Sequence, residues 1–114
     1  LVLDTCAMLD LVWGKQFPPE VRRHLDAAIQ TRQALVPVIV AVEIAQKSWS
    51  GRLRLPDGPA AWFAAALQNF NLRELPFSPA AAFGAYSLPE PFHRDPADRI
   101  VVAEARIVGA PAGR

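Results

Sequence analysis

The stretch Ala34-Leu-Val-Pro-Val-Ile-Val40, followed without a break by Ala41-Val-Glu-Ile-Ala-Gln-Lys-Ser-Trp-Ser50, decides the architecture. Residues 34–40 are apolar and rich in β-branched side chains, which predicts a buried strand, although Pro37 removes one ladder donor. From Ala41 the spacing of Val42, Ala45 and Trp49 becomes helical, and Gly51 ends that helix. Glu43 then falls in its first turn. Upstream, Leu1-Val-Leu-Asp4 reads as a short buried strand that finishes on an acid, and an apolar helix follows to Trp13. Pro18 and Pro19 open an amphipathic helix through Gln30, with Val21, Leu25, Ala28 and Ile29 on its apolar side.

Downstream of Asp57-Gly-Pro59 the pattern predicts a helix to Phe70, a third strand over Leu72–Phe77, and a short helix introduced by Ser78-Pro79 and running to Ser87. Pro89 and Pro91 impose a loop. A last helix extends from Pro96 to about Val108, with Asp95 as its cap and Ile100, Ala103 and Ile107 on one side. Strands alternating with helices define an α/β fold with a mainly parallel sheet. Ligands of such sheets bind beyond the carboxyl ends of the strands, where Asp4 is expected.

A chain of 114 residues suits one domain, so residues 1–114 are read as a single unit with one site. At 52% hydrophobic and 20% charged it is not disordered, and its apolar runs are too short to cross a bilayer. No basic region and apolar stretch of a secretory leader opens it, so a cytoplasmic location is expected. Cys6 has no second cysteine to pair with, and His24 and His93 make no zinc cluster, so any metal must sit on carboxylates. With 12 Lys+Arg against 11 Asp+Glu there is no bulk attraction to nucleic acid, and local patches must supply it.

Glu43 is the acid least explained by folding, because Val40, Ala41, Val42, Ile44 and Ala45 around it are all apolar. Burying an unpaired carboxylate costs about several kcal/mol, which a metal ion or Lys47 can offset. Each acid also has an ordinary explanation. Glu43 can favour the helix dipole or pair with Lys47, an arrangement worth about 0.3 to 0.5 kcal/mol. Asp4 can cap the next helix through the amide of Cys6 or Ala7, and Asp95-Pro-Ala-Asp98 has the form of a cap, a Pro at the first helical position and an acid at the third. What sets them apart is their common placement, at a strand end and near helix starts, from which all can face one cleft. Carboxylates converging there repel one another, and a hard dication such as Mg²⁺ or Mn²⁺ removes that repulsion.

Leu-Val-Leu-Asp-Thr at the start, Val-Glu-Ile-Ala-Gln-Lys followed by Gly-Arg-Leu, and Phe-His-Arg-Asp-Pro-Ala-Asp-Arg-Ile near the end together resemble the PIN-domain toxins of VapBC toxin-antitoxin systems. The resemblance implies a three-layer α/β/α domain that cleaves RNA with Mg²⁺ or Mn²⁺ and is restrained by a cognate antitoxin protein. It also implies a homodimer. On this sequence the family's metal-binding catalytic acids fall on Asp4, Glu43 and Asp98, with Asp95 as cap and outer support. Thr5, the usual neighbour of the first acid, is implied to hydrogen-bond a metal-bound water or a phosphate. Cys6 stands where His is frequent and Val40 where Ser or Thr is frequent, so polar support of the site is thinner.

The family pattern continues with a further strand and a Thr/Ser-x-Asp motif carrying a fourth acid. Because the sequence ends at Arg114, that strand and acid are expected to be missing and the domain incomplete at its C-terminus. Arg94, Arg99, Lys47, Arg52 and Arg54 are candidates for a basic rim that guides RNA, against the plainer reading that they are solvated surface charge. Trp13, Trp49 and Trp62 read as core or interface side chains, and the helices around Trp49 and Trp62 offer apolar surface to an antitoxin helix or a second protomer. The rival reading is a degenerate, non-catalytic remnant that serves only to bind an antitoxin or to oligomerise. A flavodoxin-like nucleotide binder is set aside, since no Gly-rich loop follows Asp4.

Overall fold

The computed structural model describes residues 1–88 and 95–109, and the backbone of 112–113. Along the chain these form β1 (Val2–Leu3), α1 (Thr5–Val12), α2 (Pro19–Gln30), β2 (Leu35–Pro37), α3 (Val38–Trp49), α4 (Pro59–Asn69), β3 (Arg73–Leu75), α5 (Pro79–Ala85), α6 (Pro96–Val108) and β4 (Ala112–Gly113). The sheet is parallel in the order β3-β2-β1-β4. From β1 the chain steps outward to β2 and β3, then returns past β1 to its other side. β1 is therefore the place where the winding reverses, and the carboxyl end of such a strand is where these sheets open a crevice.

Alternation along the short strands divides the core into two halves. Leu3 and Val36 point to one face, where they join Met8 and Leu11 of α1, Leu25 of α2, Val40 and Ile44 of α3 and Phe63 of α4. Val2 points to the other, against Val101 and Ala105 of α6 and beside Leu35 and Leu75. α5 packs on α6 through Ala85, Ile100 and Ala103. The result is the expected three-layer α/β/α arrangement, with α1–α4 on one side of the sheet and α5–α6 on the other.

Helix starts follow local chemistry. Asp4 caps α1, its Oδ1 accepting from the Ala7 amide at 2.7 Å. Ser78 caps α5 through the Ala81 amide and Asp95 caps α6 through that of Ala97 at 3.0 Å, each ahead of a proline at the first helical position. Gly109, left-handed at φ 68°, closes α6 and turns the chain back toward the sheet.

Two expectations are corrected. The strand predicted over residues 34–40 covers only Leu35–Pro37, and α3 begins at Val38 rather than Ala41. Burial of Val36, Val40 and Ile44 at steps of four outweighs the β-preference of Val38-Ile-Val40, and Pro37, which cannot donate, suits the junction. Val42, Ala45 and Trp49 of α3 face outward, Val42 being 56% and Trp49 87% exposed. Trp13 is also half exposed, and of the three tryptophans only Trp62 packs against the core. Finally, the strand expected to be missing is entered: Ala112 and Gly113 pair with Val2 and Leu3. A Gly-Ala-Pro-Ala-Gly segment carries no strand pattern of its own, and the exposed edge of β1 imposes the pairing.

Candidate metal and nucleic-acid site

At the carboxyl end of β1 a cleft of about 160 Å³ is lined by Asp4, Thr5, Cys6, Glu43, Lys47, Asp95 and Asp98. Its walls come from three elements. Asp4 and the first residues of α1 follow β1 directly, α3 supplies Glu43 and Lys47 one turn apart on one face, and the start of α6 supplies Asp95 and Asp98. Because α3 starts at Val38, Glu43 lies in the second turn rather than the first, too deep for the helix dipole to account for it.

Asp4 is 7% and Thr5 4% exposed. The Thr5 hydroxyl donates to Glu43 Oε1, which joins the end of β1 to α3 across 38 residues of chain. Lys47 makes no ion pair with Glu43 among the described residues, so the intrahelical pairing considered from the sequence is replaced by Thr5. Burial pushes the Glu43 carboxyl above its ordinary range. The Thr5 hydrogen bond draws it down, the charges of Asp95 and Asp98 push it up, and Lys47 draws it down. The carboxylates of α6 thus act on Glu43 across the cleft, the repulsion anticipated for converging acids.

The donor set is all oxygen apart from the Cys6 thiol at its edge, which suits a hard dication such as Mg²⁺ or Mn²⁺ rather than zinc. Among the described residues no three of these side chains stand close enough together to enclose an ion as they are placed. The cleft is a row of donors on separate walls rather than a closed coordination shell. Asp4, Glu43, Asp95 and Asp98 present the carboxylate oxygens that could hold a metal, and Asp4 and Asp95 each commit one oxygen to the start of their own helix.

The predicted basic rim separates. Lys47 lies inside the cleft. Arg52 and Arg54 are exposed in the loop between α3 and α4 and do not line it. Arg99 donates to the Ala85 carbonyl at 3.1 Å and lies over the Tyr86 ring at 5.3 Å, bracing α5 against α6. Arg94 lies outside the described residues. Sequence reasoning missed Cys6 as a lining residue, although its position two after Asp4 on a helix start was a signal. It also missed Glu104, a buried acid on α6 with no hydrogen bond to Oε1, because the apolar face was placed along Ile100, Ala103 and Ile107. The buried residues are Ala97, Ile100, Val101, Ala103, Glu104 and Ala105, so Ile100 and Ala103 are interior as expected while Ile107 is exposed.

The chain is thus a parallel α/β/α sandwich with acids gathered at the switch point of its sheet. The PIN domain family model matches residues 1–112, and the chain belongs to that family. PIN domains are generally nucleases that use divalent metal ions and bind nucleic acid, and many pair with antitoxins. Searches of curated proteins and of solved structures found no match. Among the described residues no helix is long and apolar enough to cross a membrane.

Proposed function

We propose that this chain is a metal-dependent endoribonuclease, the toxin component of a type II toxin-antitoxin system. The observation that supports it is the single cleft shared by Asp4, Glu43, Asp98 and Asp95 at the carboxyl end of β1. Asp4, Glu43 and Asp98 hold Mg²⁺ or Mn²⁺, Thr5 orients Glu43, and Asp95 supports the start of α6. When bound, the ion supplies an activated water and neutralises charge on the phosphate. The protein's part is to present carboxylates on rigid element ends and to receive an RNA backbone. Its partners are the RNA substrate, a cognate antitoxin and a second copy of itself, in the cytoplasm. The exposed stripe Val42, Ala45 and Trp49 on α3 is surface that a protein partner can cover.

The non-catalytic alternative, a module that only binds an antitoxin or oligomerises, draws on one observation: the described donors do not enclose an ion as placed. The two readings part on one experiment. Purified chain is incubated with structured and single-stranded RNA in Mg²⁺, Mn²⁺ or chelator, beside Asp4→Asn. Cleavage that requires both metal and Asp4 supports the nuclease, and a folded chain that leaves RNA intact under every condition supports the binding module.

A further inference from the structure

Lys47 is the basic side chain that lines the carboxylate cleft among the described residues. It is half-buried, stands one turn after Glu43 on the same face of α3, and forms no ion pair there, whereas Lys15 is held by Asp10 at 3.6 Å. An ammonium left uncommitted beside several carboxylates is placed for an anion that enters the cleft. A dication bound by the acids would repel it at short range unless a negative group lay between them. A phosphodiester has the required form, with two non-bridging oxygens that diverge from one tetrahedral phosphorus and can be bound by different groups.

We infer that Lys47 contacts the substrate itself, its ammonium donating to a non-bridging oxygen of the RNA phosphate seated in the cleft while the carboxylates face the other side. The inference rests on the nuclease reading, but it assigns Lys47 a place at the reacting phosphate instead of on a steering rim. Arg52 and Arg54, outside the cleft, keep the steering role.

The test uses lysine labelled with ¹³C at Cε, since Lys15 is the chain's other lysine and serves as an internal control. A short single-stranded RNA is titrated in Ca²⁺, and cleavage in Mn²⁺ is compared for wild type, Lys47→Ala and Lys47→Arg. The expected result is a shift of the Lys47 signal with Lys15 unmoved. Lys47→Ala then lowers kcat on the order of 100-fold with little change in KM, as for loss of one donor to a reacting oxyanion, and Lys47→Arg recovers part of it. A Lys47 signal that stays still while RNA binds, or a Lys47→Ala variant that raises KM and keeps kcat, overturns the inference. Wild type that shifts Lys47 on binding RNA but never cuts it overturns the nuclease reading and leaves the phosphate contact standing. A chain that binds no RNA overturns both.

Discussion

Thr5 and Glu43, one at the first position of α1 and the other in the second turn of α3, are joined by a hydrogen bond from the threonine hydroxyl to the glutamate carboxylate. The bond holds two walls of the cleft in register and favours the ionised carboxylate against the burial that opposes it. Thr5→Val keeps the shape and removes the donor. It is expected to raise the Glu43 titration further, read by carboxyl ¹³C NMR, and to cost about 1 to 3 kcal/mol in denaturant unfolding at neutral pH. An unmoved Glu43 titration would mean that the hydroxyl is not what stabilises its charge.

Asp4 combines two roles that different substitutions separate. Asp4→Asn retains a side-chain oxygen for the Ala7 amide, so α1 stays capped while a negative charge leaves the cleft. Asp4→Ala removes both and is expected to lose about 1 kcal/mol of stability relative to Asp4→Asn, with equal loss of RNA cleavage in the two variants. Retained cleavage in Asp4→Asn would show that Asp4 is a cap and nothing more.

Glu104 is 2% exposed, its Oε1 lacks a hydrogen bond, and burial raises its titration above the ordinary value of 4.5. The folded state therefore holds this proton to higher pH than the unfolded chain does. Its favourable contribution is complete below the unfolded value and is lost as pH rises through the folded one. Glu104→Gln is expected to be more stable than wild type at neutral pH, on the order of 1 kcal/mol, with the advantage shrinking toward pH 4. Unfolding midpoints across that range check it, and a constant difference at every pH would contradict it.

α2 is anchored by Leu25, the buried side chain of an otherwise half-exposed helix. Leu25→Ala is expected to cost about 2 to 5 kcal/mol. Urea unfolding measures this, and a loss below about 1 kcal/mol would show that α2 is only loosely tied to the sheet.

The architecture was readable because Leu1–Leu3, the helix caps and the proline-led starts at Pro19, Pro59, Pro79 and Pro96 are local signals that agree with one another. The acids could be placed near strand and helix ends for the same reason. Their meeting in one cleft follows from that common placement only as an inference, since it depends on the return of α6 past β1. The start of α3 misled because Val38-Ile-Val40 has strand propensity, and only the core that receives Val40 and Ile44 decides in favour of helix. The Thr5–Glu43 bond and the separation of Lys47 from Arg99 are tertiary facts with no trace in spacing. Glu104 was hidden because the buried face of α6 is wider than the stripe through Ile100 and Ala103 and takes in the acid beside it.

The cleft between Asp4, Glu43 and Asp98 is proposed to bind a divalent cation, and titration calorimetry with Mn²⁺ tests this without relying on RNA cleavage. Wild type is expected to bind Mn²⁺ saturably, with Glu43→Gln and Asp98→Asn each weakening it by about 10-fold or more, and both variants folded as wild type. Binding of equal strength in wild type and both variants, or no saturable binding by folded wild type, would contradict the claim.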